Sequence, residues 1–98
     1  MRSVPYPTPG EILLHEFLEP LGVSQYRLAK AIGVPQDRIS KIVNGERAVT
    51  ADTALRLSRF LGTSDTFWLT LQMDHDAAVA RDELAETLAS IQPHRAAA

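Results

Sequence analysis

One short stretch of this sequence, residues 36–44, combines the side chains that can hydrogen-bond to nucleic-acid bases. At about 100° of rotation per residue, a helix here separates a polar face from an apolar stripe. The polar face and its margins consist of Gln36, Asp37, Arg38, Ser40, Lys41 and Asn44. The apolar stripe consists of Ile39, Ile42 and Val43. Gln, Arg, Ser, Lys and Asn pair with base edges in the DNA major groove, so the pattern favours a DNA-reading helix.

A polar helix face is in most proteins simply solvated, and that is the alternative interpretation of this stretch. Asp37 in particular fits a phosphate poorly, because both groups are negatively charged. Its carboxylate is able to accept a hydrogen bond from a cytosine amino group. At the start of a helix it also interacts favourably with the helix dipole, and we expect this second role to dominate.

The net charge of the whole chain is −2, from 10 basic and 12 acidic side chains, which argues mildly against a general nucleic-acid coating protein. The charge is unevenly distributed along the chain. Residues 24–62 contain seven basic and three acidic side chains and carry +4, whereas residues 1–23 carry −2 and residues 63–98 carry −4. The DNA-reading stretch therefore lies in a basic segment between two acidic ends.

Capping residues and glycines divide the chain into helices. The first helix is predicted at Thr8-Pro9-Gly10-Glu11, where a threonine cap, a proline at the first helical position and a glutamate three residues after the cap coincide. It ends near Gly22. Further helices are predicted to begin at Ser24, near Gln36, at Thr50 and around Ser64-Asp65. Because no stretch alternates like a β-strand, the sequence predicts an all-α fold.

The chain is expected to consist of three segments. Residues 1–8 form an extended N-terminal arm, because Pro5, Pro7 and Pro9 alternate with other residues at its end. Residues 9–73 form the DNA-binding domain, and residues 74–98 form a C-terminal helical extension and tail. The helix that follows Thr50 is expected to bury its apolar residues, Ala54, Leu55, Leu57, Phe60 and Leu61.

Residues 25–44, with the sequence QYRLAKAIGVPQDRISKIVN, read as two short helices joined by a three-residue turn. A helix-turn-helix needs a small residue where its helices cross, and Ala29 has the matching position. Gly33 supplies the left-handed conformation that turns the chain after the first helix. Ile39 and Ile42 hold the second helix against the first. We assign these four residues to the structure of a helix-turn-helix, with an ordinary helical hairpin in a small bundle as the alternative.

Catalytic and metal sites find little support in the sequence. The chain has no cysteine, which excludes disulfides, thiolate zinc sites and cysteine nucleophiles. His15, His75 and His94 do not have metal-ligand spacing, and there is no nucleophile elbow or phosphate-binding glycine loop. We therefore expect a protein that is not an enzyme and that uses no cofactor, metal or small-molecule substrate. Apolar runs stay well below about 18 residues and no signal-peptide pattern opens the chain, so we expect a cytoplasmic protein without membrane contact.

Six segments also carry a resemblance to a known family. They are PGEIL at 9–13, GVP at 33–35, RIS at 38–40, IVNG at 42–45, TADTALRL at 50–57 and FWL-x-LQ at 67–72. The chain from 9 to 72 resembles the phage-repressor-like (Xre-type) helix-turn-helix family and, within it, the HigA-type antidotes of toxin–antitoxin modules. One departure is Pro35, where many members have Ser or Thr. The proline removes a side-chain cap and a phosphate contact, so the backbone N–H of Gln36 has to serve instead.

This resemblance implies a five-helix phage-repressor-like domain that binds, as a homodimer, a pseudo-palindromic double-stranded operator overlapping its own promoter. It also implies a HigB-like partner toxin similar to the RelE-type mRNA endoribonucleases. The positions that match base-reading residues are Gln36, Asp37 and Lys41, with Arg38 and Ser40 beside them. The positions expected to contact phosphates are Gln25, Arg27, Asn44, Arg47 and Thr50.

Dimerisation is expected to involve the fifth helix, which has apolar residues on more than one face. We assign Trp68, Leu71 and Met73 to the dimer interface, with a fully internal helix as the alternative for each of them. Two other functions stay open from the sequence. One is a free-standing dimeric repressor without a toxin partner, and the other is a helical protein-interaction module.

Overall fold

The computed structural model describes residues 6–94, and all regular structure in this part of the chain is helical, so the all-α prediction is confirmed. The elements are α1 (Pro9–Ile12), a π-helix (Leu13–Leu18), α2 (Glu19–Leu21), α3 (Gln25–Ile32), α4 (Gln36–Val43), α5 (Ala51–Leu61), α6 (Phe67–Glu83) and α7 (Ala85–Ser90). The first three follow one another without a break and together form the first predicted helix. Most of the predicted N-terminal arm lies outside the described residues.

The first helix begins as its sequence predicts and then departs from α-helical geometry. Its start is a capping box, in which the Glu11 N–H donates to Thr8 Oγ1 (3.1 Å) and the Thr8 N–H donates to Glu11 Oε1 (2.9 Å). From Leu13 to Leu18 the backbone is π-helical. Pro20, which follows, has no N–H for an α-helical bond, and its ring crowds the preceding turn. The wider π turn accommodates the proline, and the apolar periodicity did not predict this change.

The first helix crosses α4 in backbone-to-backbone contact at Gly10. A Cβ atom added to Gly10 would lie 2.7 Å from the carbonyl carbon of Ile42 and 2.8 Å from the Cα of Val43. Gly10 has a negative φ, so the requirement for glycine is steric and does not come from a left-handed conformation. This close packing holds the C-terminal end of α4 against the start of the chain's first helix.

The core collects apolar side chains from α1, the π-helix and α3 to α6. Its largest fully buried side chains are Trp68, Leu13, Leu18, Leu28, Ile39, Ile42 and Leu57. The Trp68 ring packs against two phenylalanine rings, with centroid distances of 5.1 Å to Phe17 and 5.0 Å to Phe67. Tilted and edge-on aromatic pairs of this kind add about 0.5–1.5 kcal/mol to the free energy gained by burial alone. The aromatic cluster therefore joins α6 to the first helix.

The burial predicted for α5 is wrong at two positions, because Leu55 is 49% exposed and Phe60 is 42% exposed. The buried side of α5 consists of Thr53, Ala54, Leu57 and Ser58. These residues recur at helical spacing, and Leu55 and Phe60 are rotated away from them. The buried Ser58 hydroxyl has hydrogen-bond acceptors within reach, since its Oγ lies 2.8 Å from the carbonyl oxygens of both Ala54 and Ser64. Helix rotation, and not apolar character, decides which side chains of α5 are buried.

α6 is one helix from Phe67 to Glu83 and starts slightly later than predicted, since Ser64 and its neighbours form a turn. It is unbroken at residue 73, and the division between domain and extension at that point stays a prediction. α7 follows after Leu84, and every residue from 81 to 94 is exposed. Within residues 6–94, no helix is long and apolar enough to cross a membrane.

Candidate nucleic-acid interface

The turn between α3 and α4 determines how α4 is presented. Gly33 ends α3 with a φ of 72°, and the next N–H, that of Val34, donates to the Ala29 carbonyl (3.0 Å). Ala29 of α3 is buried, and Ile39 and Ile42 of α4 are buried as well. α4 therefore packs on the domain through its apolar stripe and presents its opposite face to solvent.

The outward face of α4 is polar and accessible. Gln36, Asp37 and Lys41 on the helix and Asn44 just beyond it are exposed. Lys41 Nζ lies 3.3 Å from Asp37 Oδ2, in an ion pair between residues four apart on the helix. Exposed pairs of this kind contribute about 0–1 kcal/mol, so Lys41 can exchange this partner for a nucleic-acid group at little cost.

Two side chains expected on this face, Arg38 and Ser40, hydrogen-bond to neighbouring helices in the DNA-free chain, and their assignment to base contacts stays a prediction. Ser40 is half-buried, and its hydroxyl donates to Gln25 Oε1 (3.2 Å) at the start of α3. Arg38 is directed at α5, where its Nη1 lies 3.2 Å from Asp52 Oδ1, and only 25% of its side chain is exposed. The hydrogen bond of Ser40 also engages Gln25, which was expected to contact phosphate. Residue type and spacing alone did not distinguish an exposed polar side chain from one that hydrogen-bonds to a neighbouring helix.

The loop after α4 carries two of the expected phosphate contacts, Arg47 and Thr50, and both are exposed. The loop is held by Gln72 of α6, whose Oε1 accepts a hydrogen bond from the backbone N–H of Val49 (2.7 Å). The Gln72 amide nitrogen donates in turn to Asp76 Oδ1 (2.9 Å). No structural role for Gln72 was predicted from the sequence. The feature that could have indicated a role is its position as a polar residue at the end of the apolar FWL-x-LQ segment.

The three residues assigned to the dimer interface have different environments. Trp68 is 0% exposed, so its assignment is corrected: its ring completes the core of one chain and has no surface to offer a second copy. Leu71 is half-buried against the core. Met73 is 62% exposed. Further large apolar side chains are exposed along the C-terminal part of the chain, namely Leu84, Leu88 and Ile91.

Known proteins are similar to this chain in both sequence and arrangement of helices. A family model described as helix-turn-helix matches residues 14–68. Antitoxin HigA-1 of Vibrio cholerae is 37% identical over 84 residues, which span 86% of this chain and 79% of the antitoxin. The structure of an addiction module antidote protein of a HigA family from Coxiella burnetii matches with a TM-score of 0.84 and 39% identity, covering 90% of this chain and 97% of that one. This chain belongs to the HigA-type helix-turn-helix family.

A third similar protein is the Pseudomonas aeruginosa antitoxin HigA, whose structure was solved with the higBA promoter. It matches this HigA-type chain with a TM-score of 0.84 and 36% identity, over 89% of this chain and 96% of its own length. Proteins of this family are antitoxins and transcription regulators, which confirms the prediction that the chain is not an enzyme. In the part of the chain that the structure describes, no three His, Asp or Glu side chains are grouped as metal ligands.

Proposed function

We propose that this HigA-type protein is a cytoplasmic antitoxin that binds operator DNA at its own promoter as a dimer and neutralises a HigB-like toxin of the RelE-type mRNA endoribonucleases. The observation that carries the DNA-binding part is the open polar face of α4, with Gln36, Asp37 and Lys41 exposed beside a loop that carries Arg47. The promoter complex of the Pseudomonas aeruginosa relative supports the same mode of binding.

In the proposed complex, α4 lies in the major groove and its exposed side chains read base edges. Arg27, Arg47 and Thr50 contact phosphates, which supply most of the affinity and make it depend on salt. A single domain buries too little DNA surface for high specificity. Two copies on half-sites about one helical turn apart would read a pseudo-palindrome, so dimerisation is part of the proposal.

The experiment is a fluorescence-anisotropy titration with the DNA upstream of the protein's own gene, using Lys41→Ala and a matched control. We expect Lys41→Ala to weaken promoter binding by roughly 1–3 kcal/mol and to relax sequence preference, because a base contact is lost. The control is Lys30→Ala, which removes the same charge from α3, where Lys30 Nζ lies 5.6 Å from the centre of the Tyr26 ring.

We expect the control variant, Lys30→Ala, to keep the wild-type preference for the promoter over a scrambled duplex. Equal affinity and selectivity for Lys41→Ala and the wild type would contradict the role of α4. If the wild type itself does not discriminate between promoter and scrambled DNA, the proposed repressor function fails.

The dimer is proposed to use the exposed apolar side chains of the C-terminal part of the chain, from Met73 on α6 to Leu88 on α7 and Ile91 beyond it. Burial of such residues between two copies would remove apolar surface from water, which favours association. Sedimentation equilibrium tests this directly. A strict monomer at high protein concentration contradicts the pairing of half-sites.

The toxin is proposed to bind the acidic C-terminal part of the chain, where Asp82, Glu83 and Glu86 are exposed on α6 and α7. A basic endoribonuclease has the complementary charge, and charge complementarity favours such an encounter. Co-expression with the product of the neighbouring gene tests this. Co-purification that persists after lysine replaces all three acidic residues contradicts this surface, and the absence of any toxin gene nearby favours a free-standing repressor.

A further inference from the structure

One carboxylate beside the exposed face of α4 joins this helix to α5. Asp52, in the first turn of α5, has its Oδ1 3.2 Å from Arg38 Nη1 and 2.8 Å from Arg56 Nε. Arg38 belongs to α4 and Arg56 lies one turn further along α5. The position of Asp52 near the N-terminus of α5 favours its negative charge through the helix dipole. A single oxygen atom therefore holds two guanidinium groups.

Arg56 extends this connection to the turn of the helix-turn-helix. Its Nη1 donates to the carbonyl oxygens of Ile32 (2.7 Å) and Gly33 (3.3 Å) at the end of α3. The last carbonyls of a helix have no helical N–H partner, and a cation there is also favoured by the helix dipole. The end of α3, through Arg56, and the start of α4, through Arg38, are thus attached to the same carboxylate of Asp52.

The start of α4 is where such a connection matters. Pro35 caps α4 without a side-chain hydrogen bond, so the helix lacks the usual anchor at its first turn. The Arg38 side chain is mostly buried, and its Nε has no hydrogen-bond partner among residues 6–94. Asp52 provides the counter-charge for the Arg38 guanidinium.

We propose that Asp52 is a positioning residue for DNA recognition, which sets the orientation of α4 relative to α3 by holding Arg38 and Arg56 together. The inference rests on the operator binding proposed above. The Asp52 side chain is 58% exposed, so its ion pairs contribute little to the free energy of unfolding. Their effect is geometric, because base contacts from α4 depend on its angle in the groove.

The test compares Asp52→Asn with Asp65→Asn, which removes the same charge from the exposed turn before α6. The affinity of each variant is measured for the promoter duplex and for a scrambled duplex of equal length. We expect Asp52→Asn to lower promoter affinity about tenfold, the loss expected when one base contact is weakened. Its affinity for scrambled DNA stays the same or rises, since one negative charge is gone. Asp65→Asn leaves the ratio of the two affinities unchanged.

If Asp52 only repelled DNA, or if Arg38 read bases once it was released, Asp52→Asn would bind the promoter more tightly. That result overturns the proposal, and so does an unchanged ratio of affinities.

A second measurement needs no DNA. We expect hydrogen exchange of the α4 amides to be faster in Asp52→Asn than in the wild type, while exchange of the α6 amides does not change. Unaltered exchange in α4 also overturns the proposal. If the wild type does not prefer the promoter but α4 exchange responds as expected, the proposed function fails while the positioning role of Asp52 stands.

Discussion

Gly10→Ala tests the closest contact in the fold, the crossing of the first helix over the end of α4. In an exposed helix interior this substitution stabilises a protein by about 0.5–1 kcal/mol, because alanine loses less backbone entropy on folding. Here the added methyl would lie 2.8 Å from the Cα of Val43 and 2.7 Å from the carbonyl carbon of Ile42. Both are backbone atoms, so neither neighbour can rotate away.

The magnitude follows from the displacement that the methyl requires. Ordinary van der Waals contact begins at 3.4 Å, and the methyl would also overlap the nearest atom, the carbonyl oxygen of Ile42, so α1 and α4 have to separate by more than half an ångström along a packed interface. Overpacking of this kind costs about 1–3 kcal/mol, which exceeds the helix-propensity gain. We expect a net loss of about 1–2 kcal/mol in the free energy of unfolding, or a fall of roughly 4–16 °C in Tm for a domain of this size.

Thermal unfolding followed by circular dichroism measures this effect, with Gly62→Ala as the control. A Cβ on Gly62 meets no atom within 4 Å, and its φ of 78° makes the cost of alanine there purely conformational, about 1–2 kcal/mol. Only Gly10→Ala displaces α4, so only it is expected to lower promoter affinity as well. A Tm equal to or above that of the wild type for Gly10→Ala would refute the close approach of the two helices.

Three further outcomes are expected. Gln72→Ala leaves the buried Val49 N–H without its partner, and we expect the free energy of unfolding in urea titrations to fall by about 1–3 kcal/mol. A fall of less than about 0.5 kcal/mol contradicts this anchor, because neutral surface substitutions change stability by that much. Arg47→Ala reduces the slope of log affinity against log salt by about one unit without altering base preference, and an unchanged slope argues against a phosphate contact. Leu57→Ala costs about 2–5 kcal/mol, whereas Leu55→Ala on the exposed side of the same helix costs far less; equal losses would show that the rotation of α5 differs from the one described.

Local rules explain how much of the fold was predictable from the sequence. The capping box of Thr8 and Glu11, the Ser24 cap and the left-handed Gly33 act within three or four residues of chain, so residue types and spacing are sufficient to predict them. The helix-turn-helix followed from the same kind of information. The π-helix before Pro20 did not, because the periodicity of apolar residues does not report how a helix adjusts its hydrogen bonds to a proline.

Residue types and their spacing were sufficient to predict the order of the main helices, where most of them begin, and the polar character of the exposed face of α4. Contacts between helices that are distant in the sequence set which polar side chains stay on that face. Arg38 meets Asp52 from 14 residues away, and Val49 is bound by Gln72 from 23 residues away. Such contacts depend on the rotation and crossing of whole helices, which are set by packing of the entire core and not by neighbouring residues. For the same reason only the folded chain reveals that Trp68 is internal.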